Sequence, residues 1–142
     1  MTATRPVSDA LFDVDDSGAL HLLGGYSPTS GKYHFPRLDA CPYSGATDVE
    51  PVQLSSDATL WVWTAVTAPP PGYSGTVPFG FGVVELTKER LRVVTRITEP
   101  DPAALSYGQP MRAVLDVLHT DDDGTEVVTW AFAPTGDSGG PR

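Results

Sequence analysis

From residue 56 onward the chain consists of five apolar, β-branched runs separated by turn signals, and no long amphipathic helical pattern interrupts them. The strongest run, residues 58–67 (ATLWVWTAVT), ends abruptly at Pro69-Pro70-Pro71-Gly72. Runs at 77–86 and 91–97 follow, divided by Thr87-Lys88-Glu89. Residues 112–119 and 126–133 form a predicted hairpin around the polar turn 120–124, after one helical turn at 102–105. The expected fold class is mostly β. Five strands of this length fit a five-stranded Greek-key barrel of the OB type, and an SH3-like barrel or half-sandwich reads much the same.

The chain has 142 residues, enough for one domain that buries roughly two-thirds of the surface its unfolded chain exposes. Nine Lys and Arg against eighteen Asp and Glu give a formal net charge of −9, which repels phosphate backbones and argues against a basic nucleic-acid groove. No apolar window is long enough to cross a membrane, and residues 1–10 lack the apolar core of a secretory signal. A single cysteine cannot close an internal disulfide. The expectation is a cytoplasmic protein without membrane or nucleic-acid partners.

Before the strand-rich part lies a repeated frame. Ser27-Pro28-Thr29-Ser30-Gly31 and Cys41-Pro42-Tyr43-Ser44-Gly45 both read x-Pro-x-Ser-Gly, with ten residues separating Ser30 from Cys41. With Cys at positions 27, 30 and 44, this would be the spacing of a four-cysteine zinc ribbon with a slightly short centre. Proline fixes φ, and the glycine after the second ligand position takes positive φ, so backbone N–H groups point at the ligand atoms. Serine keeps the size but not the ligand chemistry, and the lost zinc forfeits about 10–16 kcal/mol of site-forming energy. The metal site is therefore expected to be vacated at Ser27, Ser30, Cys41 and Ser44, with no cofactor. Packing of Tyr26, Tyr33, Phe35 and Tyr43 would replace it. A rescued site from His34, Asp39 and Cys41 fits no common ligand spacing.

Together with these knuckles, several further motifs follow in order: His34-Phe35-Pro36-Arg37, residues 60–67, Val77-Pro78-Phe79-Gly80, Tyr107-Gly108-Gln109-Pro110-Met111 and Phe132-Ala133-Pro134. In that order, across residues 10 to 134, the chain resembles the acyl-CoA-associated zinc-ribbon/OB-fold family long catalogued as a domain of unknown function (number 35). The resemblance implies an arm (1–19), a degenerate rubredoxin-like zinc ribbon (20–54), an OB-fold barrel (55–134) and a tail (135–142). It also implies a non-catalytic subunit of a thiolase-like enzyme, a thiolase or a retro-aldolase, acting on acyl-CoA thioesters in lipid or steroid side-chain degradation. The resemblance further implies an acyl-CoA at the shared interface. The alternative is a free-standing OB module that binds single-stranded nucleic acid or a small ligand.

Candidate contact residues come from three places. Arg90, Arg92 and Arg96 alternate with Leu91, Val93 and Ile97, so they are read as one strand face, either solvated or a strip for an acidic partner or CoA phosphates. Trp61 and Trp63 lie two apart and are read as one aromatic face, either core or platform. The Pro-rich loop before Phe79 presents Tyr73 on a stiff support that loses little entropy on docking. No catalytic residue is expected. Gly136-Asp137-Ser138-Gly139-Gly140-Pro141 copies a serine-protease nucleophile loop, but the fold that uses it needs two barrels and strands after the serine. Asp121-Asp122-Asp123-Gly124 lacks the later ligands of a calcium loop and is read as a polar turn.

Overall fold

The structure, a computed structural model, describes residues 3–8, 10–73 and 75–135. Ser138 and its loop lie outside those residues. Among the described residues ten strands form: β1 (Thr4–Pro6), β2 (Phe12–Val14), β3 (Leu20–Ser27), β4 (Lys32–His34), β5 (Glu50–Gln53), β6 (Asp57–Val66), β7 (Phe79–Leu86), β8 (Leu91–Ile97), β9 (Pro110–Thr120) and β10 (Glu126–Pro134). A single 3-10 turn, Pro102–Ala104, follows β8, with Asp101 accepting from the Ala103 N–H as its N-cap.

The barrel strands run β6-β7-β8-β10-β9 and return to β6. All pairings are antiparallel except β8 with β10, which meet in parallel at Ile97 and Phe132. A meander followed by a crossing return strand is the Greek-key closure of an OB barrel, which removes the SH3-like and half-sandwich alternatives. Leu60, Val84, Leu86, Val93, Ile97, Met111, Ala113 and Phe132 fill the interior. They come from alternate positions on each strand, as a strand with one face inward requires.

β2, β4 and β5 pair with β3 in a separate small sheet. Phe12, Leu20, Leu22 and Leu54 from this segment join the same apolar core as the barrel residues. Trp130 of β10 packs its ring on Phe12 (6.4 Å between centroids) and edge-on to Phe35 (5.5 Å). β1 carries no apolar pattern and all three of its residues are exposed. It forms by adding in parallel to the outer edge of β10, opposite Glu126 to Val128, through backbone bonds that leave no trace in side-chain periodicity.

Candidate functional site

The outer face of β6, β7 and β8 sets the geometry of the candidate site. Regular alternation places Thr59, Glu85 and Arg92 in one outward row. The register then shifts between Leu60 and Val62, leaving Trp61 as an unpaired extra residue, a β-bulge. The next outward row is Val62–Val83–Val94, and the inward row beyond it is Trp63–Gly82–Thr95. Gly82 is required there: a Cβ would collide with the Val62 carbonyl and with the Trp63 backbone.

The bulge overturns the expected shared face of Trp61 and Trp63. Trp61 stays outside, whereas Trp63 packs against the interior and donates its indole N–H to the Pro102 carbonyl at 3.0 Å. A period-2 count cannot anticipate one inserted residue, and the insertion exchanges the faces beyond it.

The arginines also depart from a single strip. Arg90 is not in a strand: it sits in the β7–β8 turn at φ 58°, its N–H bonded to the Leu86 carbonyl. Arg92 and Arg96 do alternate outward on β8. Each arginine already has a carboxylate. Glu85 meets Arg90 and Arg92 at 3.4 Å, and Asp116 meets Arg96 at 3.2 Å. Two carboxylates thus serve three arginines, so the strip is only partly neutralised and keeps a net positive charge.

Aromatic rings support both long side chains. The Arg92 guanidinium lies 3.7 Å over the Trp61 ring, which meets exposed Tyr107 edge-on at 5.6 Å. Arg96 lies 4.7 Å over Phe79, and Phe79 packs against Tyr73 at 5.2 Å. Tyr73 donates its hydroxyl to the Thr76 carbonyl at 2.8 Å and so closes the Pro-rich loop on itself. Cation–π contact and ion pairing together hold the guanidinium planes flat against the sheet. Between these two clusters lie Val62 (56% exposed), Val94 (58%) and Phe81 (38%), with Val83 at the centre of the row. Sequence reading missed this apolar face. Its signal was present in Leu60-Trp61-Val62-Trp63, because four consecutive apolar residues mark a strand with apolar surface on both sides.

The two knuckles take the same local geometry. Gly31 and Gly45 adopt φ 69° and 78°, and their N–H groups bond at 2.8 Å to the carbonyls of Ser27 and Cys41. The frame brings Ser27, Ser30, Cys41 and Ser44 together. Ser30 N–H points at the Ser27 hydroxyl (3.4 Å), and Cys41 Sγ lies 3.4 Å from Ser30 Oγ. The hydroxyls of Ser30 and Ser44, with the Tyr43 and Ser44 N–H groups, pull the buried Cys41 thiol down to about 6 against the opposing effect of desolvation. Asp48 secures the first knuckle. It accepts from Ser27 Oγ (2.6 Å), Thr29 Oγ1 (2.7 Å) and Thr29 N–H (2.9 Å), which holds its carboxyl below the ordinary range.

One thiolate with three neutral hydroxyls is not a donor set that fits zinc. Among the described residues no three His, Cys, Asp or Glu side chains gather at one point, so His34, Asp39 and Cys41 do not form a site. His34 is buried, with Nε2 accepting from the Leu38 N–H at 3.1 Å. Of the expected packing residues, Tyr26 and Tyr33 stack at 4.7 Å and Phe35 reaches the barrel, while Tyr43 stays exposed beneath Lys32.

His21 is held between two acceptors, the Leu54 carbonyl at 2.8 Å and Asp15 at 2.9 Å, which raises its pKa and favours the imidazolium. It is a tie between β3 and the strand entry, not a base with a nucleophile. The Asp121–Gly124 stretch is the β9–β10 hairpin turn, as read from the sequence, with Gly124 at φ 87°. Among the described residues no helix is long and apolar enough to cross a membrane.

The strand order and closure define an OB-fold barrel. Residues 51–116 match the family model described as ChsH2, C-terminal OB-fold domain. A solved structure titled Ltp2-ChsH2(DUF35) aldolase is similar over 80% of this chain and 84% of that one, at 24% identity and a TM-score of 0.59. Residues 51–116 are thus similar to the C-terminal OB-fold domain of ChsH2.

Proposed function

We propose that this protein is a non-catalytic accessory subunit of a thiolase-like enzyme, a thiolase or retro-aldolase, that acts on acyl-CoA thioesters. The fit to lipid or steroid side-chain degradation belongs to the same reading. The observation that carries it is the outward row Val62–Val83–Val94 with Phe81, an apolar sheet face framed by the Trp61–Tyr107–Arg92 and Tyr73–Phe79–Arg96 clusters. Apolar residues at the centre with aromatic and arginine side chains around them are the composition of a protein–protein contact. The similar solved structure is titled as an aldolase with a ChsH2(DUF35) component, which gives the partner its chemical class.

Two further observations agree with a non-catalytic role. The nitrogens of His21 are committed to structural bonds, and the Cys41 side chain is buried away from any substrate. The knuckle segment works without zinc.

Purification of the tagged protein from its native host should recover a thiolase-sized protein, identified by mass spectrometry, at near-equal stoichiometry. Recovery of this chain alone would count against the reading. In the same sample, elemental analysis should find no stoichiometric zinc, and one zinc per chain would show that the donor set has been misjudged.

A further inference from the structure

His21 sits where the small sheet meets the barrel. It faces Asp13 across the β2–β3 pair and lines a cleft of about 790 Å³ between the 17–21 segment and residues 53–57, which link β5 to β6. Both ring nitrogens lie against oxygens: Nδ1 is 2.8 Å from the Leu54 carbonyl and Nε2 is 2.9 Å from the Asp15 carboxylate. Asp15 stays ionised, because Ser17 Oγ (2.6 Å), His21 and the Ala19 N–H (3.0 Å) all donate to it and hold its carboxyl well below the ordinary range. A carbonyl and a carboxylate only accept. A neutral imidazole carries one N–H and cannot serve both, so this geometry requires the imidazolium.

The surroundings favour that charge. Asp13 and Asp15 stand on the β2 side and Asp57 and Glu89 on the cleft side, against Lys88 and Arg112. Arg112 meets Asp57 at 3.3 Å, and Glu89 is fixed by the Ser55 N–H (2.9 Å) and hydroxyl (2.7 Å). The Leu54 carbonyl and Asp15 raise the His21 pKa against partial desolvation, with Asp13 adding a smaller pull. Bonds that do not depend on this proton hold the frame around it. The Leu54 N–H donates to the Leu22 carbonyl at 2.8 Å, and Ser56 Oγ donates to the Leu20 carbonyl at 2.6 Å. Loss of the His21 proton is therefore a local event and not an unfolding.

We propose that His21 is a pH-operated clasp on this cleft: protonated, it ties the 15–19 turn to Leu54, and deprotonated, it stays with Asp15 and releases Leu54. The proton leaves from Nδ1 to solvent. The remaining Nε2–H keeps the carboxylate, which is the stronger acceptor of the two, and the bare Nδ1 lone pair then faces the Leu54 carbonyl. That carbonyl turns to water, and the cleft wall at residues 53–55 loosens. The sign follows from linkage. The folded value lies above the ordinary 6.5, so the contribution of the clasp is complete below 6.5 and is lost as pH rises through the folded value. The clasp is independent of the function proposed above.

Nitrogen NMR of the imidazole rings in the full chain, followed from about pH 5 to about pH 9, tests the proposal. His21 should carry protons on both nitrogens at about pH 6 and titrate with a midpoint above 6.5. The Leu54 carbonyl and Ser55 amide signals should shift with that same midpoint, and the protection factors of the Leu54 and Ser55 amides should fall about fivefold across it. His21→Gln keeps a donor but cannot titrate, so these signals should stay constant over the same range. If that variant does not fold, Asp15→Asn serves in its place, and removal of the carboxylate should move the His21 midpoint down. A His21 ring singly protonated at about pH 6, or a midpoint at or below 6.5, overturns the clasp. So do Leu54 and Ser55 signals that ignore the His21 titration, or that titrate unchanged in His21→Gln.

Discussion

The N-terminal segment and the barrel are neighbours in one core but are held by different forces. In the barrel, five strands close on themselves and bury Leu60, Val84, Leu86, Val93 and Phe132, so area removed from water does most of the stabilising. In the knuckle segment the fully buried apolar residues are fewer, Phe12, Leu20, Leu22 and Leu54, with Tyr33, Phe35 and Val52 packed against them. The turns themselves rest on hydrogen bonds to Asp48 and around Cys41. The contrast shows that local polar groups can position the backbone of a turn frame, whereas the barrel rests on its buried apolar interior.

The sharpest way to break the comparison is to empty the barrel. Phe132→Ala removes a fully buried ring at the β8–β10 closure and should cost about 3–5 kcal/mol in denaturant unfolding. A loss much below that range would mean that the barrel is not the main source of stability. Next in size is a strictly local effect. Asp48→Ala frees Ser27 and Thr29, so amide exchange should accelerate at residues 27–31 while the barrel amides keep their protection. Global acceleration would show that the two regions are not separately supported.

Acid should act on the knuckle first. The pKa of Asp48 is depressed in the folded state by the Ser27 and Thr29 hydroxyls, so its contribution is present above the ordinary value of 3.8. It is lost as pH falls through the lower folded value. Cys41 follows the same sign at higher pH: its stabilising contribution is complete above the ordinary thiol value of 9.0 and is lost as pH falls through about 6. Thiolate absorbance followed against pH should therefore show a midpoint near 6 in the folded protein and near 9 in denaturant. A folded midpoint near 9 would remove the hydroxyl cradle from the account.

These two regions also differ in how much of them could be read from residues alone. The positive-φ glycines at 31 and 45 and the proximity of Ser27, Ser30, Cys41 and Ser44 follow from the repeated frame, because turn geometry is local. Asp48 was not legible, since it reaches back 21 residues to Ser27 through a contact made by the fold. The barrel strands were legible from β-branched runs, and β8 spans the same residues, 91–97, as its run. The faces of β6 were not, because the bulge at Trp61 is set by pairing with β7 and not by the alternation within the strand. That one residue hid the valine row, separated the two tryptophans and removed the two-ring stacking platform. β1 was invisible for a related reason: it pairs through its backbone and buries no side chain.

The central claim is that the valine row of the outer sheet face binds a thiolase-like subunit. Val62→Lys with Val94→Lys places two charges at its centre, where both side chains are already more than half exposed. The folded monomer should therefore change by less than about 1 kcal/mol. Titrating the partner subunit against wild type and this double variant measures the claim directly. The account predicts tight binding by wild type and at least about a hundredfold weaker binding by the variant at unchanged thermal stability. Equal affinity for the two proteins would contradict it.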